Sequence, residues 1–180
     1  MRGFVRWRLT GELKMTTLQE AQIAAAAGHA ELTQIIDKLA LPNGFAKLTP
    51  VQRRLLLAAV LSSIVPADGH VRKIEIEQLE KLLKTKFQFA NSQLETAMSM
   101  ASKQGSFAGV ETLAKYLPEL LSIEDRTHLI GLLWDLALCD HELHQREENL
   151  IYKVADAAGV LRKRVVEQKA IASSRSGMGA

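Results

Sequence analysis

The chain has 180 residues, 47% of them hydrophobic, 24% charged and 5% aromatic, with a formal net charge of +3 and a single cysteine; the length suits one domain, and the abundance of Leu and Ala favours helix. This composition excludes an intramolecular disulfide and a cysteine-built zinc site, and no apolar run approaches the roughly 18 residues needed to span a bilayer. Arg2, Arg6, Arg8 and Lys14 against Glu12 place the whole excess of positive charge in residues 1–14, so the body is neutral and is not expected to bind nucleic acid.

Residues 1–15 read as a basic extension without regular structure, and they lack the uninterrupted apolar centre of a secretory leader, so a cytoplasmic location is expected. Residues 16–40 carry Leu18, Ala21, Ile23, Leu32, Ile35, Ile36 and Leu39 at helical spacing. After the breaker "LPNGFAKLTP", Thr49 is placed to cap a helix whose first residue is Pro50; "VQRRLLLAAVLSSIV" is apolar on most faces and therefore central. "PADGH" turns the chain into "KIEIEQLEKLLKTKF", where Ile76, Leu79, Leu82 and Leu83 form one stripe. Asn91 or Ser92 starts a helix to about 103, a short helix ends near Tyr116, and Pro118 breaks the chain. Ser122 with Asp125 marks the start of a second apolar helix, "THLIGLLWDLALC". Then come the polar stretch "DHELHQREEN", an amphipathic helix stopped by Gly159, a last helix "LRKRVVEQKAIA", and a disordered tail over 173–180.

Compared with itself at an offset of 72 residues, the chain pairs Asp68 with Asp140 and Glu75 with Glu147. The same offset pairs Leu57 with Leu129, Leu61 with Leu133, Ile64 with Leu136, Val71 with Leu143 and Leu79 with Ile151. An apolar helix, an acidic turn and an amphipathic helix thus occur twice, over about 50–116 and 122–171.

The segments "ADGHVRKIEIEQLEKLL" and "CDHELHQREENLIYKVADAAGV" resemble the two signature segments of the tellurite-resistance protein B (TerB-like) family. The resemblance implies an all-α, pseudo-twofold bundle of about 7–9 helices spanning 16–172. It further implies a non-enzymatic binding or adaptor module of bacterial metal or stress response, with a protein partner that can be a membrane protein. Asp68, Glu75, Asp140 and Glu147 occupy the family's acidic positions, proposed as a divalent-metal or protein contact site. Position 141 is His where the family has Gly, and positions 72 and 144 are Arg and His where a capping Ser or Thr is typical.

Two readings of these carboxylates stand side by side. In the structural one, Asp68 and Asp140 accept backbone N–H bonds where the chain reverses, Gly69 and His141 adopt the left-handed conformation, and Glu75 and Glu147 meet the free amides of a helix N-terminus. In the functional one, the Asp, a turn carbonyl and the Glu of one repeat converge on Ca²⁺, Mn²⁺ or Zn²⁺, with His141 and His144 as further ligands beside Asp140 and Glu147 in the second repeat. The seven-residue step from Asp to Glu excludes an EF-hand. A metal-dependent hydrolase built on the second turn is the alternative from another class, although the two histidines lack the spacing of a helical zinc-hydrolase motif; a purely structural scaffold is the other. Asp135 within "LLWDLAL" needs a partner, and His128 lies on roughly its face. Cys139 reads as a small buried residue, and Arg162, Lys163, Arg164 and Lys169 read as a solvated face or a contact for an acidic partner.

Overall fold

A computed structural model describes residues 5–9, 12–16, 30, 33–89, 94–98 and 110–177. The body is helical. Residues 33–39 form α1; α2 is Pro50–Ser62, α3 is Lys73–Thr85, residues 94–98 form α4, α5 is Val110–Ala114, α6 is Leu117–Leu120, α7 is Ile123–Ala137, α8 is Gln145–Ala157 and α9 is Arg162–Ser176. The positions expected to be helical over 17–29 and 99–103 lie outside the described residues, while Thr16, expected to open the first helix, ends a strand instead.

The sequence signals for helix starts act as expected. Thr49 caps α2 by accepting the Gln52 N–H at 3.2 Å, while the Gln52 side chain accepts the Thr49 N–H, and Pro50 stands in the first turn where no backbone donor is missed. Ser122 caps α7 by accepting the Asp125 N–H at 3.1 Å. Pro118 does not end a helix but sits in the first turn of the short α6, the one helical place where a missing N–H costs nothing.

Helices α2 and α7 form the centre. Leu56, Ala58, Val60 and Leu61 on the first, and Ile130, Leu133 and Trp134 on the second, are almost wholly buried. Against them pack the apolar stripes of α3, with Ile76, Leu79, Leu82 and Leu83, and of α8, with Ile151, Val154 and Ala155. The Trp134 and Tyr152 rings meet edge to face at 5.9 Å, and Lys169 of α9 lies over Trp134 at 5.1 Å. Helices α3 and α8 have 13 residues each and begin 72 positions apart, so two central helices each lead through a turn into an amphipathic helix of one length.

Two regions differ from expectation. The basic N-terminal segment pairs as an antiparallel hairpin, β1 over Val5–Leu9 and β2 over Glu12–Thr16, with Val5 opposite Thr16. Apolar Val5, Trp7 and Leu9 alternate with Arg6 and Arg8, and this period of two, rather than the basic composition, decides the local structure. At the other end α9 continues to Ser176 rather than stopping at 172, and Arg175 reaches Asp135 of α7 at 2.9 Å. Arg175 is thus the ion-pair partner of Asp135, whose carboxyl burial pushes up and Arg175, with a smaller contribution from His128, pulls down, leaving it above its ordinary range.

Candidate functional site

The two turns leaving α2 and α7 are built alike. Asp68 Oδ1 accepts the His70 N–H at 2.7 Å, and Asp140 Oδ1 accepts the Glu142 N–H at 3.0 Å. Between donor and acceptor, Gly69 takes φ = 95° and His141 takes φ = 67°, the left-handed region. Glu75 Oε2 then accepts the Arg72 N–H at 2.8 Å, and Glu147 Oε2 accepts the His144 N–H at 3.1 Å. Each carboxylate therefore caps a turn or a helix start, which accounts for one oxygen of each of the four. Gly69→Ala is expected to cost about 1–2 kcal/mol in thermal or chemical denaturation, from the left-handed backbone alone. A Cβ there would meet nothing closer than the Arg146 guanidinium at 3.8 Å, so no clash contributes.

The remaining oxygens face inward, and the turns face each other. Arg72 lies between them. Its guanidinium donates to Asp68 Oδ2 at 2.8 Å, lies 3.2 Å from Asp140 Oδ2, and approaches Glu75 Oε1 at 3.9 Å and Glu142 Oε2 at 4.0 Å. It also meets His144 Nε2 at 2.9 Å; because guanidinium has only donors, Nε2 accepts in that contact. Asp68 and Glu75 have side chains only 4% and 3% exposed, whereas Arg72 is 28% exposed, so the fork covers the acids from the solvent side.

Burial and charge shift Asp68, Glu75 and Glu147 in different directions. Burial works against ionisation of Asp68, but the His70 N–H and the Arg72 guanidinium outweigh it and hold its carboxyl below the usual range. Burial pushes Glu75 up despite the Arg72 N–H. Glu147 is pushed up to about 8, chiefly by burial, with Glu75, Asp68 and Asp140 adding repulsion that the His144 N–H does not offset. Burial likewise drives the adjacent Cys139 thiol to about 12, with Glu75, Asp140 and Glu147 contributing, so it does not form a nucleophilic thiolate near neutral pH.

The sequence pairs Asp68 with Glu75 and Asp140 with Glu147, each within its own repeat; the fold brings the two pairs close enough to interact electrostatically, and His144 lies beside them. His141 is exposed and makes the turn rather than facing the centre.

A family model described as tellurite resistance protein TerB matches residues 54–170 of the chain. The chain belongs to the TerB family. The match takes in both acidic turns and the four helices that carry them. No curated protein and no solved structure matches the chain.

In this TerB domain the inner four carboxylates do not form an open divalent site. The free oxygens of Asp68, Asp140 and Glu75 converge on the Arg72 guanidinium, which occupies the space between them with its own positive charge. A second donor set lies toward solvent. Asp140, Glu142 and His144 each offer a ligand atom within 4.8 Å of the others, and the exposed Glu142 side chain has the rotamer freedom to close that spacing. Carboxylate with imidazole is a donor mixture that suits Zn²⁺ or Mn²⁺, so these three residues fit a cation better than the inner four do. Arg72 and Glu142 are the two participants that sequence reasoning did not include in the site. The signal for Arg72 was its replacement of an ordinary capping residue between two acids; the signal for Glu142 was only its place in the polar run.

Proposed function

We propose that this TerB-family chain is a non-enzymatic binding and adaptor module of a bacterial metal- or stress-response system, tellurite resistance included, and that its working face is the pair of acidic turns. What supports this reading is the charge gathered there. Four carboxylates surround one guanidinium beside an imidazole, and the least covered of them, Glu142, is 68% exposed beside Asp140 and His144. Such a face attracts a cation. Asp140, Glu142 and His144 are the residues that would hold a divalent ion, with Arg72 anchoring Asp140 from behind. A bound ion would supply positive charge and open coordination positions for a protein partner. Asp68, Glu75 and Glu147 keep the turns in shape beneath it. Burial keeps the Cys139 thiol protonated near neutral pH, so it does not serve as the nucleophile of a covalent mechanism.

Calorimetric titration of the full chain with Zn²⁺, Mn²⁺ and Ca²⁺ tests the cation reading. One ion per chain is expected, with Glu142→Ala and His144→Ala each weakening it by about tenfold or more, as for loss of one ligand. Absence of heat with all three ions would sink the cation reading, and unchanged binding in both variants would place the ion elsewhere.

A further inference from the structure

Beside the first turn lies a groove of about 610 Å³ that Arg72 does not line. One wall is the turn itself, Pro66 to Gly69; the other is α8, from Arg146 to Asp156, closed at one end by Arg162 of α9. Three cations line it, Arg146, Lys153 and Arg162, against one acid, Asp156, and an apolar strip of Pro66, Leu150 and Tyr152 runs between them.

The cations are not neutralised from within. Arg146 is exposed and makes no hydrogen bond or ion pair among the described residues. Arg162 stacks on the Tyr152 ring, its guanidinium carbon 4.0 Å from the centroid, which fixes the plane of the fork and leaves its edge N–H groups unmet. Lys153 makes a 3.2 Å pair with Glu111, but both side chains are more than half exposed, so the pair is weak. Two further basic side chains of α9 are matched, Lys169 with Glu148 at 2.6 Å and Arg175 with Asp135 at 2.9 Å, whereas Lys163 and Arg164 make no ion pair among the described residues.

We propose that this groove docks a short acidic segment of a partner protein in extended conformation. The stretch of α8 from Arg146 to Asp156 spans about 15 Å at the helical rise, which is the reach of about four or five extended residues. Guanidinium forks at the two ends match carboxylates, and the apolar strip between them accepts intervening hydrophobic side chains. Gly69 presents bare backbone at the rim, which lets the segment pass close to the turn. The proposal is independent of any cation on the acidic face, because Asp140, Glu142 and His144 do not line the groove.

Fluorescence anisotropy of a labelled hexapeptide alternating Glu and Leu, at low salt with the full chain, is the test. The double variant Arg146→Glu/Arg162→Glu is expected to bind at least about tenfold more weakly, equivalent to about 1.4 kcal/mol. The control Lys47→Glu/Lys81→Glu changes the net charge equally outside the groove and is expected to bind nearly as the parent does. Arg146→Glu alone, at a residue with no partner to lose, gives the same direction should the double variant unfold. Equal weakening by both double variants, a Lys-Leu peptide binding as well as the Glu-Leu one, or full displacement of the peptide by equimolar inorganic phosphate would overturn the proposal.

Discussion

Arg72→Ala is expected to lower the free energy of unfolding by about 3 kcal/mol at neutral pH, the lower end of the range for removing one partner from a buried ion cluster. The lower end applies because the guanidinium retains some solvent contact. The loss is that of a counter-ion. Without Arg72, Asp68 and Asp140 face each other across the gap between the turns, with Glu75 behind them and only the His144 imidazole in between. The cost should therefore depend on pH in a way that lost packing would not. As the pH falls toward 4, the clustered carboxyls take up protons, the repulsion fades, and parent and variant converge. Arg72→Lys should recover part of the loss, since an ammonium reaches one carboxylate but lacks the fork that spans Asp68, Asp140 and His144 together. Urea denaturation at several pH values measures all of this. A loss that stays constant from neutral pH to pH 4 would show that Arg72 acts by packing alone.

Glu147→Gln is expected to have the opposite sign. The amide keeps an oxygen to accept the His144 N–H, so the start of α8 remains capped, but it carries no charge into the buried cluster. The pH dependence follows from the raised carboxyl. Between its ordinary range near 4.5 and about 8, the folded protein holds a proton that the unfolded chain has already released. In that window stability falls as the pH rises, the reverse of the usual behaviour of a salt-bridged acid. The variant has no such proton to lose. Its advantage should be small near pH 5 and grow up to pH 8, with an upper bound of about 5 kcal/mol set by the width of the window. Paired melts of parent and variant across that range decide the matter; an advantage that does not grow with pH would mean that Glu147 is ionised in the folded protein without penalty.

Much of the site could be read from the chain because its elements are local. An Asp that ends an apolar helix, a residue able to turn left-handed and a Glu in the next first turn are linked by hydrogen bonds two and three residues apart, and sequence spacing reports those directly. The central helices were legible for the same reason: their apolar residues leave no polar face. The role of Arg72 was not, because it depends on two turns 72 residues apart coming within reach of one side chain. The partner of Asp135 was hidden differently. Arg175 lies in a Ser- and Gly-rich segment whose composition suggests disorder, yet Val165 and Ala172 anchor α9 to the body and carry it with them. The hairpin was obscured by its own charge, which drew attention from the alternation beneath it. The groove beside Tyr152 has no signature at all, since its walls come from three separate elements.

Position 72 and its counterpart 144 hold different residues in turns that otherwise match bond for bond. The gap between them has room for one guanidinium. A second Arg at 144 would set two like charges against each other, while a small residue at both positions would leave the acids uncompensated. A duplicated architecture with a shared centre therefore has to give up its symmetry there, one half supplying the cation and the other a side chain that yields to it. The two halves of this domain are consequently not interchangeable: grafting the first turn over the second would duplicate the helices and lose the clasp.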